Sequence, residues 1–311
     1  MKLLPQDFDG SVFPSVNKYV ASKIEGYGLE HRAATTEERD KAVLDMVNAV
    51  YNDELPMAGP TRHPIWEKGW GENLADFDPS KAGLEIAKPR YHSKYPVVRW
   101  KGDLYIPLSR DYEYNMLALI GDWAFDRWLR DYTWIGEFGC GTGHNMFRLR
   151  EVCPGARLVG FDWAESAVKF INLQAQAGAY GNPSTTHAER FDYFAPNPSL
   201  YVPDRGAAFV TVASLEQTGS QWNSWLDWAL SYTPGICVHI EPIREVLNPD
   251  VLLDHLSLEY FCKRNYLRGF LSNLYLLQSQ NKVKVHEVVR TRIGSKFIEG
   301  YTVVVWSPCR S

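Results

Sequence analysis

Residues 134–145 read Trp-Ile-Gly-Glu-Phe-Gly-Cys-Gly-Thr-Gly-His-Asn, an apolar run followed by closely spaced glycines. The apolar start predicts a buried strand over residues 134–138, and the pattern after the glycines predicts a helix over residues 143–152. Glycines let the chain turn sharply between the two, and a ligand can lie against the backbone because glycine has no Cβ. The N–H groups that open a helix are free to bond polar ligand atoms. We therefore expect a ligand-binding turn after a buried strand.

A second predicted strand, residues 157–162, ends in Asp162, 21 residues after Gly141. An acid at the tip of this strand can accept hydrogen bonds from both hydroxyls of a ribose, a recurrent feature of nucleoside cofactor sites. The glycines are spaced G-x-G-x-G, whereas dinucleotide folds have G-x-G-x-x-G. This spacing disfavours a nicotinamide-dependent oxidoreductase.

The glycine turn and its acidic partner resemble those of class I S-adenosylmethionine-dependent methyltransferases, here of the small-molecule type. In that family the pattern E-x-G-x-G-x-G binds the methionine part of S-adenosylmethionine, and the acid that ends the second strand holds the ribose. The resemblance implies cofactor-binding roles for Glu137, Gly139, Cys140, Gly141, Gly143, Asp162, Trp163, Asp192 and Tyr193. Asp192 matches the family's acid near the adenine amino group, and Phe191 and Tyr193 could cover the purine. The resemblance covers about residues 130–306.

Strand and helix patterns alternate after residue 134, which predicts an α/β fold with a mostly parallel sheet and helices on both faces. Seven strands are predicted at residues 134–138, 157–162, 186–191, 207–213, 235–240, 283–291 and 301–306, with further helices at about 164–177 and 221–232. The last two strands are joined by the loop 294–300, so they should form an antiparallel pair at the end of the sheet.

A change of pattern near residue 130 predicts two parts, 1–130 and 131–311. The first is expected to be a mainly helical substrate-binding or lid region. It contains helices at about 36–51 and 111–131, a hairpin at 97–100 and 103–107, and an irregular excursion at 55–89. The second is the methyltransferase domain, with an insertion at 245–281. Segments near Tyr91 and Arg264 are expected to cover the cleft.

Residues that follow the fourth and fifth strands should face the substrate, because ligands bind at the carboxyl ends of parallel strands. Glu216 follows the fourth strand, and His239 and Glu241 end the fifth on one face. Each could act as a general base, which increases the rate roughly 10²–10⁴-fold for an alcohol acceptor. Alignment of the acceptor with the methyl group can alone supply roughly 7–11 kcal/mol of the activation barrier, so a base is helpful rather than obligatory. Two structural alternatives stay open: His239 could be a hydrogen-bonded core residue, and Glu216 could stabilise its own loop.

The net charge of −4 disfavours a nucleic-acid substrate, because binding to phosphates requires clustered Lys and Arg. No signal-peptide pattern and no apolar run of membrane-spanning length is present, so no membrane association is expected. Five scattered cysteines without a C-x-x-C pair predict reduced thiols. We expect a cytoplasmic protein. No bound metal is expected, since the motifs of magnesium-dependent relatives are not clearly reproduced.

These observations predict methyl transfer from S-adenosylmethionine to an O or N atom of a small molecule in a biosynthetic pathway, yielding S-adenosylhomocysteine. A sugar or nucleotide-linked sugar is the preferred acceptor, and a homodimer is the candidate assembly. Two alternatives remain. One is a methyltransferase acting on protein side chains, which an open acidic cleft would favour; the other is a non-catalytic scaffold that retains the fold.

Overall fold

The computed structural model describes residues 1–51, 54–203 and 206–309. The helices are α1 (Pro5–Phe8), α2 (Lys18–Tyr27), α3 (Thr36–Tyr51), α4 (His63–Ala75), α5 (Leu84–Ala87), α6 (Tyr112–Trp128), α7 (His144–Val152), α8 (Glu165–Gln176), α9 (Asn223–Tyr232), α10 (Leu252–Arg264) and α11 (Phe270–Ser279). The strands are β1 (His31–Ala33), β2 (Val98–Trp100), β3 (Asp103–Pro107), β4 (Trp134–Phe138), β5 (Arg157–Asp162), β6 (Thr186–Arg190), β7 (Ala207–Val212), β8 (Ile236–Glu241), β9 (Val283–Arg290), β10 (Ile293–Ser295) and β11 (Thr302–Pro308).

Seven strands form the central sheet in the order β6-β5-β4-β7-β8-β11-β9. The first five are parallel to one another, and β11 runs antiparallel to both β8 and β9. The predicted α/β class, the seven strands and the terminal antiparallel pair are therefore confirmed. The central strands β4 and β7 are buried along their whole length, as expected for parallel strands covered on both faces.

Alternate residues of β4 point into two separate cores, because successive side chains of a strand lie on opposite faces. Ile135 packs in the core that includes Phe125 of α6 and Leu149 of α7. Phe138 packs in the other core, where its ring lies 6.0 Å from that of Trp225 in α9. Helices thus cover both faces of the sheet and hold its carboxyl edge in place.

A second, antiparallel sheet has the order β1-β3-β2-β10. The predicted hairpin of β2 and β3 is present. β10 was not predicted: it lies in the connection between the last two strands of the large sheet and pairs with β2. The buried Arg99 of β2 donates hydrogen bonds to Leu253 O at 2.8 Å and Ser257 Oγ at 2.7 Å, both in α10. Hydrogen bonds therefore cross the boundary predicted near residue 130, and the division into domains stays a prediction.

Residues 55–89 differ from the predicted irregular excursion, because they contain the helices α4 and α5. Gly69 and Gly71 obscure the helical pattern of α4, since glycine inside a helix is unfavourable by roughly 1 kcal/mol. Packing along α8 stabilises this helix instead. The five cysteines form no disulfide with one another, and three of them are buried. No described helix has the length and apolar character needed to cross a membrane.

Candidate active site

A cavity of about 720 Å³, open solvent at its mouth included, lies at the carboxyl ends of β4, β5 and β7. Segments that follow the strands, together with aromatic residues of the first hundred, line it: Trp66, Trp70, Tyr91, Gly139, Cys140, Gly141, Thr142, His144, Asn145, Asp162, Trp163, Phe191, Tyr193, Phe194, Val212, Ala213, Ser214, Gln217 and Thr218. The predicted cofactor residues Gly139, Cys140, Gly141, Asp162, Trp163 and Tyr193 are in this set.

The three glycines of the turn adopt left-handed backbone angles, with φ of 67° at Gly139, 53° at Gly141 and 71° at Gly143. A Cβ at Gly139 would lie 2.4 Å from Cβ of Ser214, and one at Gly141 would lie 2.9 Å from the indole of Trp70. These two glycines therefore admit the side chains that wall the cavity. A Cβ at Gly143 would instead meet Ile171 and Tyr180 in the core, so Gly143 serves packing and lies outside the lining.

Asp162 is buried in the cavity wall and bonded to the glycine turn. Its Oδ2 accepts from the N–H of Gly141 at 2.8 Å, and its Oδ1 accepts from the N–H of Ala164 at 2.9 Å. Burial raises the pKa of this carboxyl to about 6. Each carboxylate oxygen can accept more than one hydrogen bond, so Asp162 can still receive bonds from ligand hydroxyls.

Glu137 lies behind the cavity rather than in its lining. Its Oε1 accepts from Nδ2 of Asn145 at 2.7 Å, and its Oε2 is buried without a partner among the described residues. Burial raises the pKa of this carboxyl to about 8. Asn145 does line the cavity, so Glu137 is placed to orient that amide, and its contact with a ligand stays a prediction.

Aromatic rings follow β5 and β6 at one end of the cavity. The rings of Trp163 and Phe194 lie 6.0 Å apart, and Tyr193 OH donates to Ser214 Oγ at 2.9 Å because Ser214 itself donates to Phe138 O. Asp192 is outside the lining: its Oδ1 accepts from the N–H of Phe194 at 2.9 Å, as in an Asx turn. The structure thus gives Asp192 a turn-forming role.

Aromatic residues form a cover over the glycine turn. Tyr91 belongs to a segment that was expected to cover the cleft, whereas Trp66 and Trp70 were not predicted to do so. Trp66 and Trp70 of α4 stack at 5.5 Å, and the ring of Tyr91 lies 6.3 Å from that of Trp70. Glu67, between them, accepts from the N–H groups of Glu165 at 2.7 Å and Ser166 at 3.1 Å, so it caps α8 directly after Asp162. The i, i+4 spacing of the two tryptophans was the available signal.

His239 does not reach the cavity, which contradicts its predicted role as a base. It is fully buried; its Nδ1 lies 2.8 Å from Oγ1 of Thr211, and its Nε2 accepts from Trp306 Nε1 at 2.9 Å. Burial lowers its pKa to about 3. Both ring nitrogens are already engaged, so His239 is the hydrogen-bonded core residue of the structural alternative.

Glu241 also lies outside the cavity, which contradicts its predicted position facing the substrate. Its carboxylate accepts from the N–H groups of Ser214 at 3.1 Å, Leu215 at 3.0 Å and Glu216 at 3.1 Å. Burial raises its pKa to about 7. It therefore holds the turn after β7, which carries Ser214 and Gln217 into the cavity wall.

Glu216 is nearly buried beside the cavity, behind Gln217. Its Oε1 accepts from Gln217 Nε2 at 2.8 Å, while Gln217 Oε1 is buried without a partner. Burial, and then the charge of Glu241, raise the pKa of Glu216 to about 8. Glu216 therefore orients the Gln217 amide and lies outside the lining.

His144 is a cavity-lining residue that the sequence analysis passed over as a helix-start residue. It is 6% exposed, and its Nδ1 is buried without a hydrogen-bond partner among the described residues. Burial, followed by the charges of His92 and Arg148, lowers its pKa well below the ordinary value. A neutral ring with a free nitrogen at a cavity wall can accept a proton or orient a ligand. Within the described ranges, no group of three or more His, Cys, Asp or Glu is arranged to hold a metal ion.

No family model matches the chain, and no curated protein sequence does either. Solved structures do resemble it. Human N-acetylserotonin methyltransferase, in complex with SAM, matches with a TM-score of 0.50 and 14% identity over 97% of this chain and 74% of that one. Geranyl diphosphate C-methyltransferase from Streptomyces coelicolor A3(2) matches with a TM-score of 0.48 and 13% identity, covering 78% of this chain and 97% of that one. The pyocyanin biosynthetic protein PhzM matches with a TM-score of 0.44 and 15% identity, covering 64% of this chain.

The chain spans less than two thirds of several of these neighbours, with 59% of PhzM and 58% of TnmH covered. At such low identities the likeness concerns the fold. The arrangement of the central sheet and its helices is that of the human methyltransferase.

Proposed function

We propose that this protein transfers a methyl group from S-adenosylmethionine to an O or N atom of a small molecule. The observation that carries the proposal is the Asp162 carboxylate in the cavity wall, bonded to the Gly141 N–H of the glycine turn. This arrangement places an acceptor for ribose hydroxyls next to a turn that can hold a polar amino-acid group. The fold, shared with a methyltransferase that binds SAM, supports the same reading.

The residues present suit each part of that cofactor. Asp162 would hold the ribose, and Trp163 and Phe194 offer flat surfaces for the adenine. The turn, with Asn145, would hold the methionine part. When bound, S-adenosylmethionine supplies an electrophilic methyl group.

The chain's own residues contribute alignment and exclusion of water. Trp66, Trp70 and Tyr91 cover the glycine turn, so an acceptor that enters is held between this cover and the turn after β7. Restricting the acceptor in this way can supply roughly 7–11 kcal/mol of the barrier. A covered cavity also favours a small molecule over the side chain of a folded protein.

His144 is the candidate to take the acceptor's proton, because it lines the cavity and its Nδ1 has no hydrogen-bond partner among the described residues. Burial lowers the pKa of His144, so the ring is neutral at neutral pH and a weaker base than an exposed histidine. Glu216, whose pKa burial raises to about 8, is largely protonated there and orients the Gln217 amide. We assign no such role to His239 and Glu241, because their hydrogen bonds are made within the protein.

The acceptor's identity goes beyond these observations. The aromatic rings of the cavity suit a planar molecule, and no contact in the lining singles out a sugar. Location in the cytoplasm and assembly as a homodimer stay predictions from the sequence.

Calorimetry with S-adenosylmethionine, S-adenosylhomocysteine and NAD tests the proposal. We expect the first two to bind and NAD not to bind. Binding of NAD alone would overturn it. The scaffold alternative is tested separately: His144→Gln should retain cofactor affinity and lose turnover, whereas a scaffold would keep its biological role in that variant.

A further inference from the structure

Two arginines from distant parts of the sequence, Arg62 and Arg264, come together beside the cavity. Arg62 immediately precedes α4, and Arg264 is the last residue of α10. The N–H of Ala58 donates to Arg264 O at 2.7 Å, and Asn265 Nδ2 donates to Ala58 O at 3.1 Å. These bonds fix the segment that leads to Arg62 against the end of α10, so the proximity of the two arginines is built into the fold.

Both guanidinium groups lie on aromatic rings. Arg62 Cζ is 5.8 Å from the ring centre of Trp66, and Arg264 Cζ is 5.0 Å from that of Tyr266 and 5.8 Å from that of Tyr260. Stacking of this kind holds a guanidinium in one orientation while its edge stays available for hydrogen bonds.

The pair also has unused donors, although its charge is partly offset. Arg264 Nη1 donates to Tyr260 OH at 3.3 Å, and the carboxyl of Glu216 lies within electrostatic reach of Arg264. Nε of Arg62 and Nε of Arg264 are buried, and neither has a hydrogen-bond partner among the described residues. Burial, and then the like charge of Arg264, lower the pKa of Arg62. Buried donors in folded proteins are normally satisfied, and two like charges held together are unfavourable without an anion. The two unpartnered Nε groups and the like charges therefore favour a bound anion, because Glu216, whose pKa burial raises to about 8, is largely protonated at neutral pH.

The arginine pair adjoins the cavity through two contacts. Trp66 lines the cavity and carries Arg62 on its ring. On the other side, the N–H of Arg268 donates to Gly219 O at 3.1 Å, directly after the cavity-lining Thr218. Neither arginine is in the cavity lining, so a ligand that binds both guanidinium groups must extend past Trp66.

We propose that Arg62 and Arg264 bind the anionic group, a carboxylate or phosphate, of a planar aromatic methyl acceptor. The identification of the bound anion as a methyl acceptor rests on the proposed function. The existence of the anion site does not depend on it. Guanidinium groups match these anions because their N–H donors form a planar fork. The rings of Trp66 and Tyr266 would lie against the acceptor's own ring.

Thermal unfolding of the full chain with S-adenosylhomocysteine, in the presence of benzoate, phenyl phosphate or benzamide, tests the proposal. These probes share one ring and differ in charge, and the two anions separate a carboxylate from a phosphate preference. We expect at least one anion to raise Tm with an apparent affinity at least tenfold tighter than that of benzamide. R62Q and R264Q should each weaken that affinity at least tenfold. The control R157Q changes an exposed arginine at the opposite end of β5 from Asp162 and should behave as the unmodified protein.

If R264Q fails to fold because its aromatic contacts are lost, R62Q decides the result. Equal effects of benzamide and the anions would overturn the proposal, as would an anion effect that survives in the R62Q/R264Q double variant. Failure of S-adenosylhomocysteine to bind would instead count against the proposed function, because the anions can be titrated in its absence.

Discussion

The N–H of Gly141 donates to Oδ2 of Asp162 at 2.8 Å, which joins the glycine turn after β4 to the end of β5. This bond sets the position of the carboxylate that we assign to the ribose. The same carboxylate accepts from the N–H of Ala164, so it also opens α8. One side chain thus couples the shape of the turn to the ligand surface.

Asp162→Ala should weaken the binding of S-adenosylmethionine about 100-fold or more. A hydrogen bond to a charged group contributes roughly 1.5–3 kcal/mol, and the ribose offers two hydroxyls. Calorimetry measures the affinity. Asp227→Ala is the matched control, since Asp227 is an exposed residue of α9 outside the cavity lining and should change the affinity less than about threefold. Near-normal affinity in Asp162→Ala would mean that the acid only caps α8.

Glu67→Gln should loosen the cover formed by α4. The Glu67 carboxylate accepts from two N–H groups of α8, and a neutral amide loses the charge that favours these bonds at a helix N-terminus. We expect cofactor affinity to fall about 5- to 30-fold, corresponding to roughly 1–2 kcal/mol, with faster hydrogen exchange in α4. Glu72→Gln, at an exposed position of the same helix, should leave both unchanged. Equal effects of the two variants would contradict this role of Glu67.

Glu216→Gln should stabilise the protein in a pH-dependent way. The pKa of Glu216 is raised to about 8 in the folded protein, above its ordinary value of 4.5. The unfolded chain therefore loses this proton first as pH rises, and folded stability decreases between about pH 4.5 and 8. Replacing the ionisable group should raise the free energy of unfolding by on the order of 2–4 kcal/mol at pH 8.5 and by little at pH 5. Urea unfolding at both pH values measures this. A gain of equal size at the two values would show that ionisation is not its cause.

His239→Gln should reduce stability and leave cofactor binding intact. The change breaks the contacts of both ring nitrogens and leaves Thr211 and Trp306 to find new partners in the core. We expect a loss of roughly 2–4 kcal/mol in the free energy of unfolding, and an affinity for S-adenosylmethionine within about threefold of the original. A stable variant with lost turnover would restore His239 as a candidate base.

The central sheet could be predicted closely, because its strands are nearly continuous apolar runs bounded by turns. Each of the seven strands ends within two residues of its predicted limit. β10 could not be found in this way, since its three residues are extended only because β2 offers them a pairing edge. The helix α4 was missed for a similar reason: its two glycines oppose a helix, and contacts with α8 outweigh them.

The site was predictable where local geometry determines function. Gly139, Gly141 and Asp162 line the cavity because a sharp turn and a strand end must lie together at the carboxyl edge of a parallel sheet. The candidates Glu216, His239 and Glu241 were chosen by the same rule, and the structure places none of them in the lining. The rule locates the edge of a sheet, but side-chain hydrogen bonds decide whether a residue faces the ligand or the core.

The sequence by itself determined the α/β class, the succession of strands and helices after residue 134 and the turn that opens α7, because these depend on hydrophobic periodicity and on glycines at fixed spacing. Only the tertiary structure decided what closes the cavity and what surrounds it. The contacts of Trp70 with Tyr91 and with Gly141, and the approach of the segment before Arg62 to Arg264, join residues that are far apart in the chain. Such contacts arise from packing between elements, and no local pattern encodes them.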